Sequence, residues 1–226
     1  MERHFGNFMK KRSKFYLYGF LVIFVFTTIA GYLYLPQILG DTVYPLEYTN
    51  LIIKYSDLHK VPRDLTAAMI FKESRFNPRA TSAVGARGLM QIMPPTGATI
   101  AKGVAEPNYN SDKLYDPETS IKFGTWYIHV MLERYNNNLD AALAAYNGGS
   151  GNADRWVSLG LLNNLPFGET RNYVKTVKEL KTVYAEVHGE ELFGEKVELQ
   201  IEKPKQSFLW GRMVKDLVAV FYGEEE

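Results

Sequence analysis

From Leu46 to His188 the apolar residues recur with helical spacing. Leu51, Ile52, Tyr55 and Leu58 fall near one face of a segment from Leu46 to about Lys60. Pro62 suits the first turn of a second helix, which runs to about Arg75 and ends before Asn77-Pro78. On it Leu65, Met69 and Glu73 recur at spacing four and stack along one face, so the apolar stripe ends in a carboxylate. Residues 77–88 read as a loop, and Gly88 to about Lys102 as a short helix interrupted by Pro94-Pro95. After an irregular stretch, Asp116-Pro117 starts a helix with Ile121, Gly124, Tyr127, Ile128, Met131 and Tyr135 on one side, ending at Asn136-Asn137-Asn138. Leu139 to Asn147 is a further helix, stopped by Gly148-Gly149. A short segment around Trp156 follows. Glu169 to about His188 is the last strong helix, with Tyr173, Val177, Leu180 and Tyr184 in register. No strand alternation is evident between 46 and 188, so the fold class is mostly α.

The two ends differ from this middle. Residues 1–14 form a basic segment with Arg3, Lys10, Lys11, Arg12 and Lys14. Phe15 to Leu35 carries no charge and would span roughly 31 Å as a helix, the thickness of a bilayer core. Tyr16, Tyr18, Tyr32 and Tyr34 sit near its ends, where aromatic rings favour the interface. Residues 15–35 therefore read as a transmembrane anchor and residues 36–45 as a linker. The basic flank keeps 1–14 cytoplasmic and places the rest outside. A cleaved signal peptide is the other reading, with Thr28-Ile29-Ala30 as its small-residue pattern, but the apolar run continues past that point. Residues 189–226 are a C-terminal extension of unassigned role. Within it, 195–203 alternates as a strand or an extended tail, and 207–222 as an amphipathic helix that docks on the domain or the membrane.

Composition narrows the chemistry. The 226 residues carry a net charge of +1, which gives no whole-chain argument for nucleic acid. The absence of cysteine excludes a disulfide framework, a thiol nucleophile and Cys-ligated zinc. The four His residues have no metal-site spacing. What remains is Glu73. A carboxyl on an apolar stripe beside a Gly-rich turn is a candidate general acid, because burial penalises its charged form and raises its pKa.

Four segments stand together in order: Glu73-Ser74, Gly88-Leu89-Met90-Gln91, Ala145-Tyr146-Asn147-Gly148, and Pro166-Phe167-Gly168-Glu169-Thr170-Arg171-Asn172-Tyr173-Val174. With Asn77-Pro78, Ser82 and Gly85-Ala86 between the first two, residues 46–188 resemble the family 1 lytic transglycosylases, whose soluble lytic transglycosylase catalytic domain has a goose-type-lysozyme-like fold. The resemblance implies a bacterial enzyme that cleaves the β-1,4 bond between N-acetylmuramic acid and N-acetylglucosamine in peptidoglycan; with the N-terminal anchor, it would sit at the inner membrane with its domain on the extracytoplasmic side. Glu73 would be the sole acid/base, and the product a 1,6-anhydro end. Ser74 would orient Glu73 or its helix end. Ser82, Gln91 and Met93 would line the sugar subsites. Tyr146 would lie against the site, Asn147 would hold that helix end, and Glu169 and Tyr173 would close the opposite wall.

The residues themselves leave several of these roles open. Tyr146, Tyr173 and Met93 also suit a core, Ser82 a polar loop, and Glu169 a helix start. Most glycosidases use two carboxylates; one suffices where the substrate's own N-acetyl carbonyl acts as nucleophile. Two other functions fit the same scaffold: a hydrolytic muramidase, with Asp112, Asp116, Glu118 or Glu169 as second carboxylate, and a non-catalytic glycan-binding scaffold. No metal or organic cofactor is required. The partners implied are glycan strands, the membrane through the N-terminal helix and, unspecified, other components of an envelope complex.

Overall fold

In a computed structural model of the chain, residues 16, 18–31, 40 and 42–194 are described. They fall into two units, one up to Val43 and one from Tyr44 onward. In the first, residues 18–31 are helical with their apolar side chains largely exposed, among them Phe20, Val22, Ile23 and Phe26. Thr27 and Thr28 donate their hydroxyls back to the Phe24 carbonyl, at 3.0 and 2.7 Å. Among the described residues no helix is long and apolar enough to cross a membrane. Of the expected 15–35 anchor, residues 15, 17 and 32–35 lie outside the described residues, as do the 1–14 segment and the expected strand and helix at 195–203 and 207–222.

The second unit is helical: α1 (Thr49–His59), α2 (Arg63–Ser74), α3 (Pro94–Gly103), α4 (Pro117–Arg134), α5 (Leu139–Gly148), α6 (Ser150–Ser158), α7 (Gly168–Val187) and α8 (Gly189–Phe193), with 3₁₀ turns at Ser111–Tyr115 and Leu162–Asn164. Among its described residues, β pairing is limited to the isolated bridges Thr81–Arg87 and Arg87–Ile92. The mostly helical expectation holds, and Asp116-Pro117 starts a helix where expected. Asp116 accepts from the Thr119 amide at 2.9 Å, with Pro117 as the first residue of α4. Asn138 accepts from the Ala141 amide at 3.0 Å to start α5.

α2 is the organising element. Asp64 through Ile70 are all buried, so this helix is enclosed on every side rather than lying with one stripe inward. It packs most extensively against α7. Asp64, 4% exposed, accepts from Lys181 of α7 at 2.8 Å and from the Leu65 amide at 2.8 Å. A buried carboxylate needs such partners, since desolvation alone would exclude its charge.

Two expectations are corrected. Pro94-Pro95 do not interrupt a helix: residues 88–93 are irregular, and Pro94 opens α3, where its missing N–H removes nothing. The segment around Trp156 is a full helix, α6, which follows α5 after the single residue Gly149 at φ +84°. Past His188 the chain continues into α8, where Leu192 is fully buried and its carbonyl accepts from Arg63 at 2.5 Å. At the other end, the Tyr44 carbonyl lies 2.7 Å from His188 Nε2, and Tyr184 donates to the Pro45 carbonyl at 2.8 Å.

Candidate active site

Glu73 is the penultimate residue of α2. The chain reverses directly after it: Arg75 and Phe76, neither a glycine, both adopt left-handed backbone at φ +50° and +63°. Such residues are held only where their surroundings over-determine them. Phe76 is 2% exposed and packs on the Tyr184 ring, which anchors the reversal. Glu73 is thereby left at the edge of the core with its carboxyl drawn inward. Burial pushes that carboxyl up to about 7. The hydroxyl of Tyr173 and the charge of Lys72 pull the other way, and the charge of Glu169 adds to the rise.

Tyr173, 3% exposed on α7, donates to Glu73 Oε1 at 2.7 Å. A donor on Oε1 puts the acid's own proton on Oε2. Burial, then the neighbouring Glu73 charge, raises the Tyr173 hydroxyl well above its usual value, so it stays a donor at any working pH. Tyr146 at the end of α5 is also raised, by burial and by the Glu73 charge, which places it in the same electrostatic neighbourhood. Its hydroxyl, however, donates to the Met90 carbonyl at 2.9 Å, and its ring packs on Tyr127 at 5.3 Å.

The loop of residues 77–93 is built around its own backbone. Ser74 Oγ lies 2.9 Å from the Leu89 carbonyl and 3.1 Å from that of Ile70, tying the end of α2 to the loop. Ser82 Oγ accepts from the Ala86 amide at 3.0 Å, closing the turn that contains Gly85. Gln91, at φ +46°, donates its side-chain amide to the Ala80 and Gly88 carbonyls, at 3.1 and 2.9 Å. Both of its N–H groups are thus held inside the loop, which leaves Oε1 as the atom available to a ligand. Gly88 has φ +76°, and a Cβ there would collide with the Leu114 carbonyl. This position therefore requires glycine twice over.

The predicted residues thus fall into groups. Glu73, Tyr173, Tyr146 and Glu169 share one electrostatic neighbourhood. Ser74, Ser82 and Gln91 use their side chains to brace the loop beside it. Met93 is 38% exposed at the start of α3, Asn147 follows Tyr146 on α5, and Glu169 is exposed in the first turn of α7.

Three contributors were not visible in the sequence. Ser120 of α4 is fully buried and accepts from the Met90 amide at 3.2 Å, fixing the strip of backbone that Tyr146 also holds. Gly124 lets Met90 approach α4, since any Cβ would overlap the Met90 side chain. Trp156 packs over Gly148. The spacing places Gly124 on the inward side of its helix but does not mark what it or Ser120 meets, because both act through a segment some thirty residues away. Among the described residues, no group of three or more His, Asp or Glu side chains is placed to hold a metal ion.

Fold and site together define a mostly helical domain whose candidate site centres on the Glu73 carboxyl, its pKa raised by burial and its Oε1 held by Tyr173. Residues 50–160 match the family model described as the transglycosylase SLT domain. The soluble lytic murein transglycosylase of Escherichia coli K12 is 36% identical over 156 residues, 65% of this chain and 24% of that protein. The membrane-bound lytic murein transglycosylase C of Pectobacterium atrosepticum is 30% identical over 166 residues, 61% of this chain and 46% of that protein. The crystal structure of the 70 kDa soluble lytic transglycosylase from E. coli superimposes with a TM-score of 0.63 at 34% identity, over 68% of this chain and 26% of that one. Over this domain the chain is thus similar to the SLT-domain lytic transglycosylases. It spans about a quarter of the length of its soluble relative.

Proposed function

We propose that this chain is a peptidoglycan lytic transglycosylase in which Glu73 is the single acid/base. The observation that carries the reading is the carboxyl of Glu73, raised to about 7 by burial while one oxygen is held by Tyr173. At neutral pH such a group is populated as both acid and base, which a mechanism with one carboxyl needs.

In the first step Glu73 gives its Oε2 proton to the bridging oxygen as the bond from C1 of N-acetylmuramic acid breaks. The neighbouring N-acetyl carbonyl oxygen bonds to C1 in its place. In the second step the Glu73 carboxylate takes the proton of the C6 hydroxyl, whose oxygen attacks C1 and releases the acetamido oxygen. Glu73 ends protonated, the sugar ends as a 1,6-anhydro ring, and no water is consumed. Gln91 Oε1, Met93, Ser82, Asn147 and Glu169 are read as the cleft around the sugars, and Tyr146 and Ser74 as the groups that fix its backbone.

Three of the four carboxylates that a hydrolytic muramidase could recruit are engaged elsewhere, which favours the single-acid route. Asp112 pairs with Arg87 at 2.8 Å, Asp116 caps α4, and Glu118 accepts from Lys54 and Tyr55 at 2.7 and 2.6 Å. Glu169 remains, exposed on the rim and acting on Glu73 through its charge.

We further read residues 15–35 as a membrane anchor, with 1–14 cytoplasmic and the domain outside the inner membrane. The exposed apolar side chains of residues 18–31 support this, as do the Thr27 and Thr28 hydroxyls, already satisfied by their own helix as a lipid environment demands. A relative described as membrane-bound is in keeping with it.

The test is a digest of purified peptidoglycan analysed by mass spectrometry. Products ending in 1,6-anhydro-N-acetylmuramic acid are expected. Reducing muramic ends would replace this reading with a muramidase, and bound but uncut glycan would replace it with a scaffold.

A further inference from the structure

Beyond the groups around Glu73, an exposed aromatic ring stands at the start of the helix that carries Tyr173. Phe167 is 51% exposed, immediately before α7. A single exposed apolar side chain is ordinary by itself. This one is rigid. Its ring meets Trp156 edge-on, centroids 5.2 Å apart and planes at 82°. Trp156 is itself 4% exposed and lies so close over Gly148 that a Cβ there would come within 2.8 Å of the indole. The main chain is pinned as well: the Phe167 carbonyl accepts from the Arg171 amide at 2.9 Å, and the Arg171 guanidinium donates to the Leu165 carbonyl at 2.5 Å.

Its place relative to the chemistry follows from the two helices it touches. Through Trp156 it borders the end of α5, next to Asn147 and Tyr146. Along α7 it precedes Tyr173 by six residues, roughly 9 Å at the rise of an α-helix. That is a distance a disaccharide covers. The face of a pyranose ring presents C–H groups, and an aromatic face offers them apolar contact and a negative quadrupole. Recognition sites combine such surfaces with a few placed polar groups, here Glu169 two residues on.

We propose that Phe167, propped by Trp156, is a stacking platform for a pyranose ring of the glycan, one or two sugars away from the bond at Glu73. This rests on the glycan-cleaving reading above and extends it to a residue that sets how the strand is held. The platform acts on binding and not on proton transfer, because Tyr173 and Glu73 are untouched by it.

The experiment uses the full chain in two backgrounds. In the Glu73→Gln chain, binding of the β-1,4-linked N-acetylglucosamine tetramer is measured for Phe167→Leu and Phe167→Tyr. Leu keeps apolar contact with Trp156 but has no ring face, whereas Tyr keeps the face. The expected result is a roughly ten-fold rise in Kd for Leu, about 1.4 kcal/mol, and no loss for Tyr, at matched thermal midpoints. In the active chain, Phe167→Leu is expected to raise KM for glycan strands and leave kcat near that of the parent. Tetramer binding by the Leu variant equal to that of the parent, or an equal loss in the Tyr variant, overturns the platform. Should the parent chain cut no glycan, the catalytic reading fails, and the tetramer comparison still decides for or against Phe167.

Discussion

Tyr173 and Glu73 are one hundred residues apart in the chain and 2.7 Å apart in the fold. The contact joins the end of α2 to α7, the helix that packs most extensively against it. Because the hydroxyl donates to the carboxyl, it steadies the charged form and opposes the rise that burial causes. Tyr173→Phe is therefore expected to move the Glu73 pKa further above 7 while loosening its orientation. The alkaline limb of kcat/KM should shift to higher pH, and kcat should fall by roughly ten-fold or more. A pH–rate profile of the variant checks both; an unmoved limb would show that the hydroxyl does not set the acid's pKa.

Glu73→Gln keeps the shape and removes the proton donor. Cleavage is expected to fall below detection while glycan is still retained. Product analysis by mass spectrometry, run beside a sacculus-binding assay, reads the two separately.

The same substitution has a signature in stability. A carboxyl raised from its ordinary value near 4.5 to about 7 favours the folded state while protonated. Below about pH 4.5 both folded and unfolded forms hold the proton, and nothing is lost. As pH rises from there towards 7 the unfolded state releases its proton first, and stability falls by up to about 3 kcal/mol. Glu73→Gln removes this loss. Its thermal midpoint should exceed that of the parent at pH 8, with the gain shrinking to nothing near pH 4. Denaturation series at the two pH values test it; a gain that did not depend on pH would sink the assignment.

The loop beside Glu73 is expected to be intolerant at Gly88. An alanine there must adopt φ near +76° and displace the Leu114 carbonyl. Gly88→Ala should destabilise the domain by roughly 2–4 kcal/mol and reduce activity with it. Ser74→Ala, which unties Leu89 from α2, should be milder, about 1 kcal/mol. Urea unfolding of the two variants gives the order directly.

Removal of the first 40 residues is expected to free the protein from membranes without lowering its cleavage rate. The cut must spare Tyr44 and Pro45, since the Tyr44 carbonyl meets His188 and that of Pro45 accepts from Tyr184. A second truncation after Pro45 should therefore lose stability where the first does not. Fractionation and thermal midpoints of the two chains separate these effects.

Much of this protein is determined locally and is legible in the order of its residues. The helices α1, α2, α4, α5 and α7 follow from apolar spacing together with start signals such as Asp116-Pro117, whose physics operates within a few residues. Pro94-Pro95 is ambiguous for the same reason: a proline pair breaks a helix or begins one, and only the conformation of the chain ahead of it tells which. Glu73 can be singled out because a carboxyl on an apolar stripe is anomalous by itself. Its environment cannot be read in the same way. Burial of the carboxyl, the hydroxyl on Oε1, the hold of Tyr146 and Ser120 on Met90, and the Trp156–Phe167 pair all join segments distant in sequence. Periodicity tells which side of a helix is apolar. It does not tell that α2 is enclosed on every side, nor which helix supplies each partner. The sequence therefore determined the anomalous carboxyl and most of the helices, whereas the raised pKa of that carboxyl was decided by the packing of α2 against α7, since desolvation and hydrogen bonding depend on what lies within a few ångströms in space.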